Sequence, residues 1–442
     1  MIERPAGRAW LFTFILFCCA GAGIAAWDMR DWGDRLSPVD AFSEANALRE
    51  VDGFRAQGIG HNAGLGNVLY GTQFPDEGFA AASADDRARS VGPNGVYTHY
   101  PPGPEYLLYL DEALFGPHPI VRLRLLPLVL CAAASVFFGL SIRRRFGPTV
   151  AWMVMLAVLG VAPLHDADTS LHFIGYAFAL LLIEVAVAVG RNALYAPFFA
   201  LGFCQGWLSF DYVFLTVLVP MAVELSLPAI DPNHVARVRI VLGRCCLAAA
   251  GFVLAHIMHF GEVWGFYGSF HGALDDLHNS ARYRAGADAA GGILHYAITF
   301  CIICSFYVIS PYPIGLPLLP PIPQFYVLHS FRFLGLTLGV WWPLVAVAFW
   351  GVERFRKRRG LPSHGSLVQW CKVGVIGIAI SSAWWLAMQN HATVHIHLLY
   401  RHLSVCFILW ALFVAARAAH FVESWPVGLA RIWKANANGP KI

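Results

Sequence analysis

The chain has 442 residues, of which 57% are hydrophobic and 13% charged, with a formal net charge of +4. An ordinary soluble domain carries about 25% charged residues, so this composition excludes a typical soluble globular protein and points to many membrane spans. No Walker A, GxGxxG or zinc-finger spacing stands in a plausible context, which removes the common nucleotide and nucleic-acid signatures.

At the start, Arg4 and Arg8 precede an apolar run over residues 9–27 that ends in small residues. A cleaved signal peptide has that pattern, but the run approaches the length a bilayer core requires and reads as a retained first helix. A long polar loop, residues 28–119, follows and carries Asp40, Glu44, Arg49, Glu50, Thr98 and His99. Connections of that length are usually functional or disordered. Further apolar runs recur at 120–142, 149–164, 170–190, 193–209, 212–230, 243–262, 331–352, 367–388 and 398–416, each near the roughly 20 residues of a span.

Basic residues orient these runs, because positive charge near span ends stays cytoplasmic. Arg4, Arg8, Arg143-Arg144-Arg145, Arg191, Arg237, Arg239, Arg244, the block from Arg354 to Arg359, and Lys434 then face inward. That block reads as a topology and anionic-lipid signal rather than a nucleic-acid site. The N- and C-termini are expected in the cytoplasm, and 28–119 and 265–330 outside. Within the latter, 293–310 is apolar enough to span, but one crossing would invert everything after it. It therefore reads as an interfacial or re-entrant element leading into the proline-rich 310–323, with a pair of extra spans as the alternative. The chain has 10 cysteines, none in the long loop. Cys301 and Cys304 have redox spacing but sit in an apolar run without a βαβ context and read as packing residues. The expected organisation is one membrane-embedded domain over 1–442, without a soluble C-terminal domain.

The candidate chemistry lies on the outer side. Asp40 follows Pro38 and precedes a run of helix formers from Ala41, the position of an N-cap that is also able to aim a carboxylate into a cavity. Asp166 and Asp168 lie in the second outer connection. Asp211, among apolar neighbours, reads as a structural acid facing a cavity or a partner. In Asn390-His391-Ala-Thr-Val-His395-Ile-His397-Leu-Leu-Tyr400-Arg401-His402, helical spacing would place His391 and His395 on one face and His397 and Arg401 on another. Arginine suits bidentate, charge-assisted phosphate binding. An i, i+4 histidine pair suits a divalent metal, so His391 and His395 are the candidate ligands if one is used. Arg282 and Arg284 are further phosphate candidates that read as residues of a solvated outer loop. Arg122 and Arg124 read as headgroup anchors at the start of the second span.

The first quarter of the chain resembles the GT-C superfamily of polyprenyl-phosphate-dependent glycosyltransferases, such as the aminoarabinose lipid A transferases and the protein mannosyltransferases. The likeness rests on Asp40, Ala45 and Arg49-Glu50-Val51 after the first span, then on His99-Tyr100-Pro101-Pro102-Gly103 and Tyr106-Leu-Leu-Tyr109 before the second. Ala41 stands where a second acid is usual, Tyr100 where a lysine is usual, and 53–95 is longer and richer in glycine than the pattern. The resemblance implies an all-α polytopic bundle of about 10–12 transmembrane helices with juxtamembrane helices in the long first extracytoplasmic loop. It implies a lipid-linked sugar donor, a glycan, lipid or protein acceptor, and a site at the outer face of the inner (plasma) membrane.

On that reading Asp40 is the general base. Glu44, His99, Asp166 and Asp168 orient the acceptor or bind a metal, and Arg401 with His397 or His402 holds the donor phosphate. Attack opposite the phosphate gives inversion. The alternatives are a transporter or flippase using intramembrane His, Asp and Arg residues, and an inactive scaffold of the same fold.

Overall fold

The computed structural model of the chain describes residues 4–28, 36, 41–69, 95–117, 119–159, 170–190, 195–226, 234–286, 297, 342–358, 366–394, 402 and 408–417. Asp40, Asp166, Asp168, Cys301, Cys304, His395, His397, Arg401 and the questions raised over 293–330 lie outside these residues. The described chain is almost entirely helical, and its one extended pairing is an isolated antiparallel bridge between Asn67 and Val96.

Helix α1 spans Arg4–Asp28 and α2 Ala41–Gln57. A 3-10 turn at Ile59–Asn62 leads to the bridge, and α3 spans Gly103–Phe115. Pro101 and Pro102 precede α3, and Pro104 lies in its first turn, where a missing N–H costs nothing. Next come α4, Ile120–Leu123, α5, Leu125–Phe146, and α6, Pro148–Leu159. Helix α7 is Phe173–Val189, α8 Ala196–Leu208 and α9 Val213–Ser226, with a 3-10 turn at Phe210–Tyr212 joining the last two. Helix α10 is His234–Tyr267, α11 Phe270–Ala285, α12 Trp342–Arg358, α13 Ser366–Ala387 and α14 Gln389–Val394. A further apolar helix, α15, covers Ile408–Arg417.

Among the described residues three helical stretches are long and apolar enough to cross a membrane: Ile120–Phe146, Val238–Tyr267 and Leu367–Ala387. Helices fall on the expected apolar runs among the described residues, but α8, at 13 residues, is too short to cross alone. Trp10–Gly23, Phe173–Val189 and Ile408–Arg417 are apolar and of intermediate length.

The core joins α1, α5, α6, α7, α9, α13 and α15 through residues such as Phe14, Phe138, Leu181, Val219, Trp385 and Phe413, each fully buried. Helices α8 and α10 pack closely because small residues face each other. A Cβ at Gly202 would lie 2.0 Å from the Ala248 carbonyl oxygen, and one at Gly251 2.0 Å from that of Phe199. Small residues of this kind let backbones approach in apolar surroundings, where dispersion rather than water exclusion drives packing.

The two ends of the bundle differ chemically. Arg143, Arg144 and Arg145 close α5, Arg145 bonds the Val189 carbonyl, and Arg244 reaches the carbonyls of Ala188 and Gly190 at 3.3 and 3.4 Å. Cations at the C-terminus of α7 complement its unsatisfied carbonyls. The opposite end carries residues 95–102. Helix α10 supports that end because its 34 residues extend about 51 Å, well past a bilayer core of about 30 Å.

Candidate functional site

The site forms where the returning part of the long loop, residues 95–102, meets the ends of α7, α9, α10, α11, α13 and α14. Tyr100 is its centre. Its hydroxyl donates to Asp211 Oδ1 at 3.0 Å and lies 3.3 Å from His391 Nε2, which is itself 3.8 Å from Asp211 Oδ2. Asp211 is fully buried in the Phe210–Tyr212 turn, whose tight geometry Ser209 fixes by accepting the Asp211 N–H at 3.0 Å. The Tyr100 ring stacks on Tyr97, Phe173 and Phe210, at centroid distances of 5.8, 6.0 and 4.5 Å. Arg284, in the last turn of α11, lies over Tyr100 and Phe210 with its guanidinium 5.1 and 5.5 Å from the two ring centroids.

Arg284 is 8% exposed, which corrects the reading of its segment as a solvated loop. The segment is helical to Ala285 and ends on Gly286 in the left-handed conformation. Neighbouring Arg282 stays exposed. Burying a guanidinium costs several kcal/mol. A ring face returns about 2 kcal/mol when desolvated, and a helix C-terminus about 0.3–1 kcal/mol. Asn390 Nδ2 donates to the Tyr283 carbonyl at 3.0 Å and so fastens α14 to α11 beside Arg284.

Two histidine–carboxylate contacts pin the loop from the side. His99 Nε2 is 3.5 Å from Asp276 Oδ1, and His259 bridges the Thr98 carbonyl at 3.0 Å and Glu262 Oε2 at 3.2 Å. Tyr106 donates to the Gly64 carbonyl at 2.6 Å and to Glu262 at 3.2 Å, holding α3 and the preceding loop to α10. Burial raises the Asp276 carboxyl, but the neighbouring His99 outweighs it, first among the polar groups around it, and leaves the group below the usual aspartate range.

Behind Tyr97 lie two buried acids. Burial first, and then the charge of Glu105, holds Glu50 well above the usual carboxylate range. Burial pushes Glu105 to about 7, against its backbone hydrogen bond. Gly66 permits the approach of Glu50, because a Cβ there would lie 2.0 Å from Glu50 Oε2. Glu105 Oε1 is 3.9 Å from His172 Nε2. A carboxyl that titrates near neutrality is suited to moving a proton.

The candidates read from the sequence thus separate. Helix α2 is described from Ala41 onward, and Asp40 lies outside the described residues. His99 and His391 belong to the site. His402 lies beneath it: fully buried, it bonds the Asp211 carbonyl at 3.0 Å and packs on Tyr212 and Trp385. Glu44 points elsewhere, into a bidentate pair with Arg124 at 2.6 and 2.7 Å, and also accepts the Leu171 N–H at 3.2 Å. Arg124 is therefore a buried ion-pair residue and not the headgroup anchor that its position suggested. Among the described residues no group of three or more His, Cys, Asp or Glu side chains could hold a metal ion. Glu105, His259, Glu262 and Asp276 carry no motif and only the structure brings them in. No family model, curated protein or solved structure matches this chain.

Proposed function

We propose that this protein is a polytopic membrane glycosyltransferase that moves a sugar from a polyprenyl-phosphate donor to a glycan, lipid or protein acceptor, at the extracytoplasmic face of the cell's inner membrane. The observation that carries the reading is the contact of Tyr100 with Asp211 and His391. It draws the Pro-Pro segment of the first long loop onto the bundle end opposite the arginine clusters, where positive charge marks the cytoplasmic side. On this reading the site faces a donor held in the outer leaflet and an acceptor from outside the cell.

In the proposed reaction Asp40 takes the proton of an acceptor hydroxyl or amine. The acceptor atom attacks the anomeric carbon, the bond from that carbon to the phosphate oxygen breaks, and polyprenyl phosphate leaves with the electron pair. General base catalysis of this kind contributes typically about 10²–10⁴-fold. Purified protein in lipid vesicles containing a radiolabelled polyprenyl-phosphate sugar is expected to transfer label to an acceptor fraction, and Asp40→Asn to lose that transfer while remaining folded. A folded Asp40→Asn variant with the wild-type rate removes Asp40 as the base.

One observation favours a second reading, a transporter. Glu184 lies inside apolar α7, fully buried, with neither carboxyl oxygen hydrogen-bonded among the described residues. Acids at such depth commonly mark substrate or proton paths. Uptake of a labelled lipid-linked or soluble sugar into sealed vesicles, without group transfer, would select that reading.

A further inference from the structure

Arg284 is more than nine-tenths buried, and among the described residues it has no carboxylate partner. Its contacts there are the Ser280 hydroxyl on its own helix and the faces of Tyr100 and Phe210. A guanidinium so far from water calls for an anion, since buried charges are retained where they are paired. The nearby carboxylate, Asp211, is already engaged by Tyr100 and approached by His391.

We propose that Arg284 is the anion anchor of this site and takes the oxygens of a phosphate ester, with His391, beside the Tyr100 hydroxyl, as the second contact. The fork of an arginine matches two phosphate oxygens at once. The aromatic faces hold the guanidinium beside the site, and the bond from Asn390 to the Tyr283 carbonyl holds the two cation-capable side chains on adjoining elements. The proposal rests on the reading of the site as one that receives a lipid-linked sugar phosphate, and it moves the phosphate contact from the 397–402 segment to α11. The shared chemistry is the phosphate oxyanion, whether a lipid carries it or it is free.

The full chain in phosphatidylcholine nanodiscs is titrated with farnesyl phosphate, with uncharged farnesol and with inorganic phosphate. Wild type is expected to prefer farnesyl phosphate to farnesol. Arg284→Gln should weaken farnesyl phosphate at least tenfold and leave farnesol unchanged, while Arg282→Gln binds like wild type. Arg284-dependent competition by inorganic phosphate identifies a free anion as sufficient; its absence, with farnesyl phosphate still bound through Arg284, assigns the anion to the lipid. Either result supports the anchor. Equal wild-type binding of farnesyl phosphate and farnesol, or undiminished farnesyl phosphate binding by Arg284→Gln, overturns it. Should Arg284→Gln not fold, Arg284→Lys decides, because it keeps the charge and loses the fork, and wild-type affinity in that variant also overturns the proposal. Arg284-dependent phosphate binding without sugar transfer keeps the anchor and removes the transferase reading. Sugar transfer that survives Arg284→Gln keeps the transferase and removes the anchor.

Discussion

Arg124 clamps both carboxylate oxygens of Glu44, at 2.6 and 2.7 Å, where neither side chain is exposed. The pair ties the first turn of α2 to the start of α5, 80 residues along the chain, and the Leu171 N–H adds the start of α7 through the same carboxylate. A single ion pair thus sets the long loop's first helix on the bundle.

Removing one member leaves a buried charge unpaired. Glu44→Gln and Arg124→Leu are each expected to destabilise by about 3–5 kcal/mol. The double replacement Glu44→Leu with Arg124→Leu should cost much less, because no charge is left behind. Thermal melting of wild type, Glu44→Leu, Arg124→Leu and the double replacement in one detergent reads the coupling, and simple additivity of the two single losses would refute it.

Tyr100→Phe keeps the ring stack on Phe210 and removes the hydroxyl given to Asp211. Leaving a buried acceptor short of its donor costs about 1–3 kcal/mol. The melting temperature should fall, and any sugar transfer should fall with it. An unchanged melting curve would show that the hydroxyl does not hold the loop to the Phe210–Tyr212 turn.

Glu105 makes stability depend on pH. Its carboxyl is raised from 4.5 to about 7 on folding, so between those values the folded protein holds a proton that the unfolded chain has released. Stability therefore falls as pH rises through that window. Glu105→Gln should flatten this part of the melting profile between pH 5 and 7.5, and a profile as steep as wild type would assign the slope to other groups.

Gly202 faces the Ala248 carbonyl with no space for a methyl group. Gly202→Ala is expected to force α8 and α10 apart and to cost about 1–3 kcal/mol. Gly23→Ala, where a Cβ meets nothing within 4 Å, is the control, and equal melting temperatures for the two variants would deny the close crossing.

Much of the architecture was legible beforehand because helix periodicity, apolar length and charge placement are local properties of the chain. The helix over residues 41–57, the proline entry into α3, the turn at Phe210–Tyr212 and the gathering of arginines at one end all follow from such signals. Span length was harder to read. Apolar composition continues through the turns between short helices, so residues 193–209 look like a crossing while α8 has only 13 residues.

The site was only half legible. His99, Tyr100 and His391 stand in motifs, but what each touches depends on chain segments up to 291 residues away. Glu44 and Arg124 looked like a polar loop residue and a membrane-edge cation until packing placed them opposite each other. Arg284 read as solvated because its neighbours in sequence are polar, whereas the rings that bury it come from residues 100 and 210. By itself, then, the sequence determined that this is a helical, strongly apolar chain with one basic end and a long polar loop. Tertiary structure alone decided which charges are paired and which are held against aromatic faces, because burial and electrostatic pairing are properties of the assembled ends of the helices.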